Sequence, residues 1–431
     1  MSCWRSGGAV GTDGPRVTPP GRLSVQEAAN AIVAAVAVQP TLRIPLANAV
    51  GHVLAEDVTA AISLPPWTNA AMDGYAVRAA DVKGATPTAP VTLRVVGVSA
   101  AGDSPTRGLL PGEAIRIYTG APVPDGADSV VRQEDSDRGV DAVVVHDDRD
   151  AGMNLRGAGG DIARGAVALP AGAEVGPHQL ALLAALGVAH PVVHRKPRVG
   201  ILVSGDELVS LDQQEEILDG TRLSDVNGPA LAALVHAAGG VPVALGIVRD
   251  DPDALTQRVM AAQDIDLLIT AGGVSVGDHD YVHAVMARLY VSPLVQRVRL
   301  RPGGPTTFGV MPDGRGWLAL PGNPVSAMVT FELFARPAIR KMAGQRVPQR
   351  RMIRVVVDDV VRRDAVLDQY LRVVLEYPVD GGLPRARLTG PQGSGMLTSV
   401  ARADALLHVD AGTDGVARGT TLLAVPFGAS R

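Results

Sequence analysis

The chain has 431 residues, 46% of them apolar, which is enough interior for about two to four domains with sizeable cores. Forty basic residues against 44 acidic ones leave a formal net charge of -4 without any Lys/Arg block, which argues against nucleic acid as a partner. The single cysteine, Cys3, excludes an internal disulfide or a thiolate metal cage; the longest apolar run, LALLAALGVA, is half a membrane span, and no secretion signal is evident, so a cytoplasmic protein with no membrane partner is expected.

In chain order, residues 1–21 are rich in Gly and Pro and read as a disordered leader. Ser24-Val25-Gln26-Glu27 has the pattern of a capping box, in which hydroxyl and carboxylate each satisfy a free amide, and predicts an Ala-rich helix through Val38. From 60 to 165 short β-like runs such as VTLRVVGVS and EAIRIYTG, separated by Pro- and Gly-rich turns, predict an inserted β-rich domain. Its flanks, 22–59 and 166–194, are read together as a split helical or linking domain whose second half carries a helix opened by Pro177 and closed by Gly187. From 195 to 345, RVGILV, VPVALGIV and DLLIT alternate with helix-like runs, the pattern of βαβ crossovers and of a largely parallel, doubly wound α/β domain. Residues 346–431 hold strand-like runs (MIRVVVDDVV, QYLRVVLEY, ALLHVDA, TLLAVPF) and predict a compact C-terminal β domain of small-barrel type.

Ligands of a doubly wound sheet settle beyond the carboxyl ends of its strands, so the loops found there carry the candidates. Ser204-Gly205-Asp206-Glu207 places two carboxylates where a helix cap needs one; the alternative is a cap beside a solvated acid. In Arg249-Asp250-Asp251-Pro252 the Asp251-Pro252 pair reads as N-cap and first-turn proline, which leaves Asp250 for function. The paired glycines of TAGGVSVGDHD let backbone amides approach an anion at the next helix start, and no lysine follows to make a P-loop. Pro321-Gly322-Asn323-Pro324 is a turn in which Asn323 is expected to cap the long helix SAMVTFELFARPAIRKM. Acidic loops gathered at one sheet edge repel unless a cation neutralises them, and a magnesium ion bridging phosphates would do so. The nine histidines have no metal-ligand spacing and give no support to zinc.

Several longer signatures occur in order: NAAMDGYAVR at 69–78, RIYTGAPVPDGADSVV at 116–131, GDI at 160–162, SGDEL at 204–208, AGGVSVGDHDY, LPGNPVSA and GPQGSG. From about residue 22 onward the chain resembles the molybdopterin molybdenumtransferases, the MoeA and gephyrin E-domain family, whose α/β domain is of the Mog type. The resemblance implies a magnesium-dependent transferase that inserts molybdenum from molybdate into adenylylated molybdopterin and releases AMP, acting as a homodimer. It also implies a Mog-type adenylyltransferase and molybdoenzyme apoproteins as partners. Position by position it assigns catalysis to Asp73, Thr119, Asp161, Glu207, Asp250 and Asp280, with Glu207, Asp250 and Asp280 as magnesium ligands. Gly272, Gly273, Ser275, Asn323 and Ser326 match residues that bind the pterin substrate, and Arg297, Arg301, Arg372 and Ser394 match those that bind molybdate. Asp73 and Asp161, which otherwise read as turn acids, lie in the inserted domain and are expected to serve the other subunit's site.

Departures from the family pattern leave other readings open. Arginines stand at 297 and 301 where the family commonly has lysines, and Gly304 stands where it has a third; smaller differences fall at Ser204, Ala271 and Val226. A tungstate-inserting paralogue, a molybdopterin adenylyltransferase and a non-catalytic molybdopterin-binding scaffold are the alternatives.

Overall fold

The computed structural model describes residues 22–102, 107–274, 281–362, 364, 366–379, 381–412 and 415–427; the expected leader with Cys3, and the site candidates Ser275 and Asp280, lie outside the described residues. The chain forms two units, one from the residues up to Pro40 together with those from His194 onward, the other Thr41–Val193.

The first unit begins with helix α1 (Val25–Ala35). Its capping box forms as read from the sequence: Glu27 N donates to Ser24 Oγ over 3.2 Å and Ser24 N donates to Glu27 Oε2 over 2.8 Å. The helix stops short of Val38 because Val36 already turns to an extended conformation. Val25, Ala28, Ala29 and Ile32 recur at helical spacing and bury one face in the core of the α/β domain. This differs from the expected grouping of α1 with 41–59 and 166–194: the apolar stripe finds its partners in helices and strands of the first unit.

The α/β sheet contains β1 (Arg198–Ser204), β2 (Val241–Val248), β3 (Leu267–Ala271), β4 (Ser292–Val295), β5 (Thr307–Val310) and β6 (Gly316–Leu320), in spatial order β2-β1-β3-β6-β5-β4. The pairs β1·β2, β1·β3 and β3·β6 are parallel, while β5 and β4 run antiparallel to their neighbours. Every residue of β3 and β6 is buried, as expected of strands covered on both faces. Alternate residues face two cores: Leu267, Ile269, Leu318 and Leu320 toward one, Leu268, Trp317 and Ala319 toward the other. Helices α2 (Asn227–Ala237), α3 (Pro252–Ala261) and α4 (Tyr281–Arg288) provide the covering layers.

The expected long helix after Pro321 is α5 (Pro324–Thr330) and α6 (Arg336–Met342), joined by a π turn at Phe331–Ala335. Asn323 holds the N-cap position but makes no capping hydrogen bond. Pro324 brings no amide, and the Asn323 side chain lines a cleft instead.

Five strands close into a barrel: β7 (Ile353–Val357), β8 (Asp368–Glu376), β9 (Arg385–Leu388), β10 (Ala405–Val409) and β11 (Thr421–Pro426), in the order β8-β9-β7-β11-β10 and back to β8. Val355, Val357, Val373, Leu407 and Ala424 fill its interior, whereas Tyr370, Leu406 and Val425 pack into the core shared with the α/β domain. The barrel is further joined to that domain where Leu300 and Arg301 pair in parallel with Asp368 and Gln369.

In the second unit a five-stranded sheet runs in the order 129–132, 74–77, 113–117, 91–99, 142–145. A separate small core around Leu54, Val175, Leu183 and Val193 takes in the helix Pro177–Ala185. Among the described residues no helix is long and apolar enough to cross a membrane.

Candidate functional site

The carboxyl ends of β1, β3 and β6 open onto a cleft of about 700 Å³. Among the described residues its charged lining residues are both acidic, Glu207 after β1 and Asp250 after β2. Asp251 caps α3 by accepting from Ala254 N over 2.8 Å, so Asp250 is indeed left over. The loop is braced by Asp206, whose carboxylate accepts from Asp250 N over 3.3 Å and lies 3.6 Å from the Arg249 guanidinium.

Gly272 and Gly273, both with positive φ (+107° and +68°), carry β3 past this cleft. A Cβ on Gly272 would lie 2.6 Å from the Ser204 carbonyl oxygen, and one on Gly273 would lie 2.7 Å from the Tyr281 ring. Conformation and close approach therefore both demand glycine. Tyr281, the first residue of α4, donates its hydroxyl hydrogen to Asp250 Oδ1 and sits 2.7 Å from Ser204 Oγ. Burial, and then the hydrogen bond to Asp250, push the phenol well above its ordinary pKa, so it remains a neutral donor. Asn227, which is 5% exposed, ties α2 to the Pro321–Asn323 turn by donating to Gly322 O over 2.8 Å. Neither Tyr281 nor Asn227 is among the residues expected at the site; the signal for both is a polar residue at the start of a helix that follows a candidate loop.

A second cleft, of about 850 Å³, lies between the α/β domain and the barrel. Among the described residues its charged lining residues are Arg301, Arg362 and Arg372, accompanied by Ser326, Gln392 and Ser394. Arg372 is fully buried. Its Nε donates to Ser399 Oγ over 3.1 Å and Nη2 to Gly393 O over 3.1 Å, while Nη1 has no partner among the described residues. Gln392 fixes the backbone there, accepting from Arg372 N over 2.8 Å and donating to Arg372 O over 3.2 Å. Burial lowers the guanidinium pKa to about 10, which still leaves it charged at neutral pH. Arg301 sits 3.6 Å from Asp364.

Two expectations are corrected here. Arg297 is exposed and is not among the residues that line the arginine cleft: the backbone turns between it and Arg301, with Leu300 N donating to Val298 O over 2.9 Å. Ser326, expected with the pterin-binding residues, lines the arginine cleft, because the first turn of α5 presents it on the side away from Asn323. The clefts adjoin: Pro305 lines both, and Ser394 lines one while Gly395 lines the other. Ser394 O accepts from Val325 N over 3.2 Å, which fixes this border to α5.

In the second unit, Asp73 Oδ1 accepts from both the amide and the hydroxyl of Thr119, each over 2.7 Å. These bonds hold the Asp73 carboxyl below its ordinary pKa. The Thr119 hydroxyl hydrogen is thus engaged by Asp73. Asp161 is exposed, and its amide donates to Leu64 O over 2.9 Å.

A doubly wound α/β domain and a closed five-stranded barrel thus set an acid-lined cleft beside an arginine-lined one. Models of the MoeA N-terminal region (domains I and II), of a probable molybdopterin-binding domain and of the MoeA C-terminal region (domain IV) match residues 23–187, 200–341 and 354–427. The chain is 36% identical to a molybdopterin molybdenumtransferase of Nostoc sp., covering 89% of this chain and 88% of that protein. It is 36% identical to molybdopterin molybdenumtransferase 2 of Mycobacterium tuberculosis, over 93% and 98% of the two chains. The crystal structure of a molybdopterin biosynthesis moeA protein from Pyrococcus horikoshii superposes with a TM-score of 0.80 at 28% identity, covering 94% of this chain and all of that one. The protein belongs to the molybdopterin molybdenumtransferase (MoeA) family.

Proposed function

We propose that the protein inserts molybdenum into molybdopterin, taking adenylylated molybdopterin and molybdate and releasing molybdenum cofactor and AMP, as a magnesium-dependent homodimer in the cytoplasm. The observation that carries this reading is the division of charge between adjoining clefts: carboxylates on one side, arginines on the other. A diphosphate cannot sit against Glu207 and Asp250 without a cation, and carboxylate oxygens are the hard donors magnesium takes. Asp280 is assigned as a third such ligand. Magnesium held there would neutralise the diphosphate and draw off charge as the nucleotide departs.

The remaining work falls to the chain itself. Amides of the Gly272–Gly273 turn and the Asn323 side chain are assigned to the phosphates, and Ser275 is assigned with them on the resemblance. Tyr281 holds Asp250 in place through its hydroxyl. In the second cleft Arg372, Arg301 and Ser394 hold molybdate as a tetrahedral dianion by charge and donated hydrogen bonds. Asp73, Thr119 and Asp161 are assigned to the same reaction on the resemblance. A Mog-type adenylyltransferase would supply the substrate, and molybdoenzyme apoproteins would receive the product.

The barrel with its arginine cleft favours insertion over adenylyl transfer, which needs no oxyanion site. Purified protein loaded anaerobically with adenylylated molybdopterin is expected to release AMP when molybdate is added. ATP consumption with pyrophosphate release would point to adenylyl transfer instead, and no nucleotide release with molybdate would overturn the proposal. Tungstate, the same size and charge class, is the competing anion in the same assay.

A further inference from the structure

The three arginines that line the second cleft among the described residues are held very differently. Arg372 is fixed at the floor by Ser399, Gly393 and Gln392. Arg301 shares its charge with Asp364, 3.6 Å away. Arg362 is exposed, and its guanidinium makes no ion pair or hydrogen bond among the described residues. Its backbone is nevertheless anchored: the preceding residue, Val361, is buried and exchanges hydrogen bonds with Val416, 3.0 Å from Val361 N to Val416 O and 2.7 Å in the return direction. A fixed root and a free cationic head make an arm that can move onto a ligand without disrupting the barrel.

A tetrahedral dianion taken from water calls for about two compensating charges. Arg372 supplies one and Arg301 only part of another, while the wall at Gly303 and Gly304 bears no side chain at all. We propose that Arg362 is the second full cationic ligand of the oxyanion, its planar fork donating to two anion oxygens opposite Arg372. This rests on the reading of the cleft given under Proposed function, and it explains how the charge missing at Gly304 is replaced from another wall.

Position 304 also permits a relocation test. A Cβ there would lie 3.2 Å from Leu300 O and 3.4 Å from Val298 O, a shortage of a few tenths of an ångström. Gly304→Lys can therefore return a cation to the bare wall. The KM for molybdate and molybdate-dependent AMP release would be measured for Arg362→Gln, Arg362→Lys, Arg362→Gln/Gly304→Lys and Arg372→Gln. Loss of a charge-assisted pair predicts a KM for molybdate raised about 10- to 100-fold in Arg362→Gln, with kcat at saturating molybdate and affinity for adenylylated molybdopterin unchanged. Arg362→Lys and the double variant should each regain part of that loss. An unchanged KM in Arg362→Gln alongside a raised one in Arg372→Gln overturns the role of Arg362 and leaves the oxyanion cleft standing. Unchanged KM in both overturns the cleft itself. A rise that neither the lysine at 362 nor the lysine at 304 relieves assigns Arg362 to packing and also overturns the proposal.

Discussion

The two clefts of the first unit are built by opposite strategies. The acid cleft is made of loops at the ends of parallel strands, and its carboxylates are accessible: Glu207 is exposed, and Asp250 is restrained by one hydroxyl from Tyr281. The arginine cleft is made where a barrel meets the α/β domain, and its central cation is fully buried with one nitrogen unpaired. A buried, incompletely paired guanidinium is costly in the empty protein, and a bound dianion offsets that cost. The acid cleft stores no such penalty, since its carboxylates are exposed to water. The difference teaches that one cleft keeps its charges in water and the other holds a charge already desolvated by the fold, so that, on the proposed function, affinity would depend on a metal in the first and on the buried guanidinium in the second.

This contrast can be broken at several points. The largest effect is expected from Asp250→Asn, which should reduce single-turnover AMP release by roughly 10²- to 10³-fold, with molybdate affinity unchanged. Next, Arg372→Gln should weaken molybdate about 100-fold and abolish the rise in Tm that molybdate gives the wild type. The sign for Arg372 follows from its lowered pKa. Below pH about 10 the folded protein carries a cation that the unfolded chain solvates better, so Arg372 subtracts from stability there. That subtraction fades as pH climbs through about 10 toward the ordinary guanidinium value.

A smaller effect is expected from Tyr281→Phe, about 10-fold in AMP release, because Asp250 loses one restraining donor but keeps its charge. The raised phenol pKa predicts that wild-type activity shows no ionisation of Tyr281 below its ordinary value of 10.0, and a pH-rate profile of both proteins checks it. The smallest effect belongs to the second unit: Thr119→Val should move the Asp73 carboxyl upward toward 3.8, read by NMR titration, because one of its two donors is lost.

Local chemistry makes the acid cleft legible in the amino-acid sequence. The buried strands Leu267–Ala271 and Gly316–Leu320 are continuous apolar runs, and the Asp251-Pro252 cap and the glycine pair have local signatures, so Glu207 and Asp250 stand out in the loops between them. Features that depend on distant partners are less legible. An amphipathic helix such as Val25–Ala35 declares which face it buries but not against what, so its place in the first unit has no sequence signal. Strand Arg385–Leu388 and helix Leu397–Ala401 are four and five residues long, too short for a periodic signal. The arginine cleft is assembled from segments far apart in sequence, so resemblance to a family places Arg301, Arg372 and Ser394 there and carries Gln392 within GPQGSG, but groups Arg297 with them and gives no signal for Arg362.

The central claim is that the two clefts divide the ligands by charge. Equilibrium binding of magnesium, with adenylylated molybdopterin present, and of molybdate would be measured on the wild type, on Glu207→Gln/Asp250→Asn and on Arg372→Gln. The expected result is loss of magnesium with molybdate retained in the acid-cleft variant, and the reverse in the arginine-cleft variant. Parallel loss of both ligands in either variant, or loss of neither in both, would contradict it.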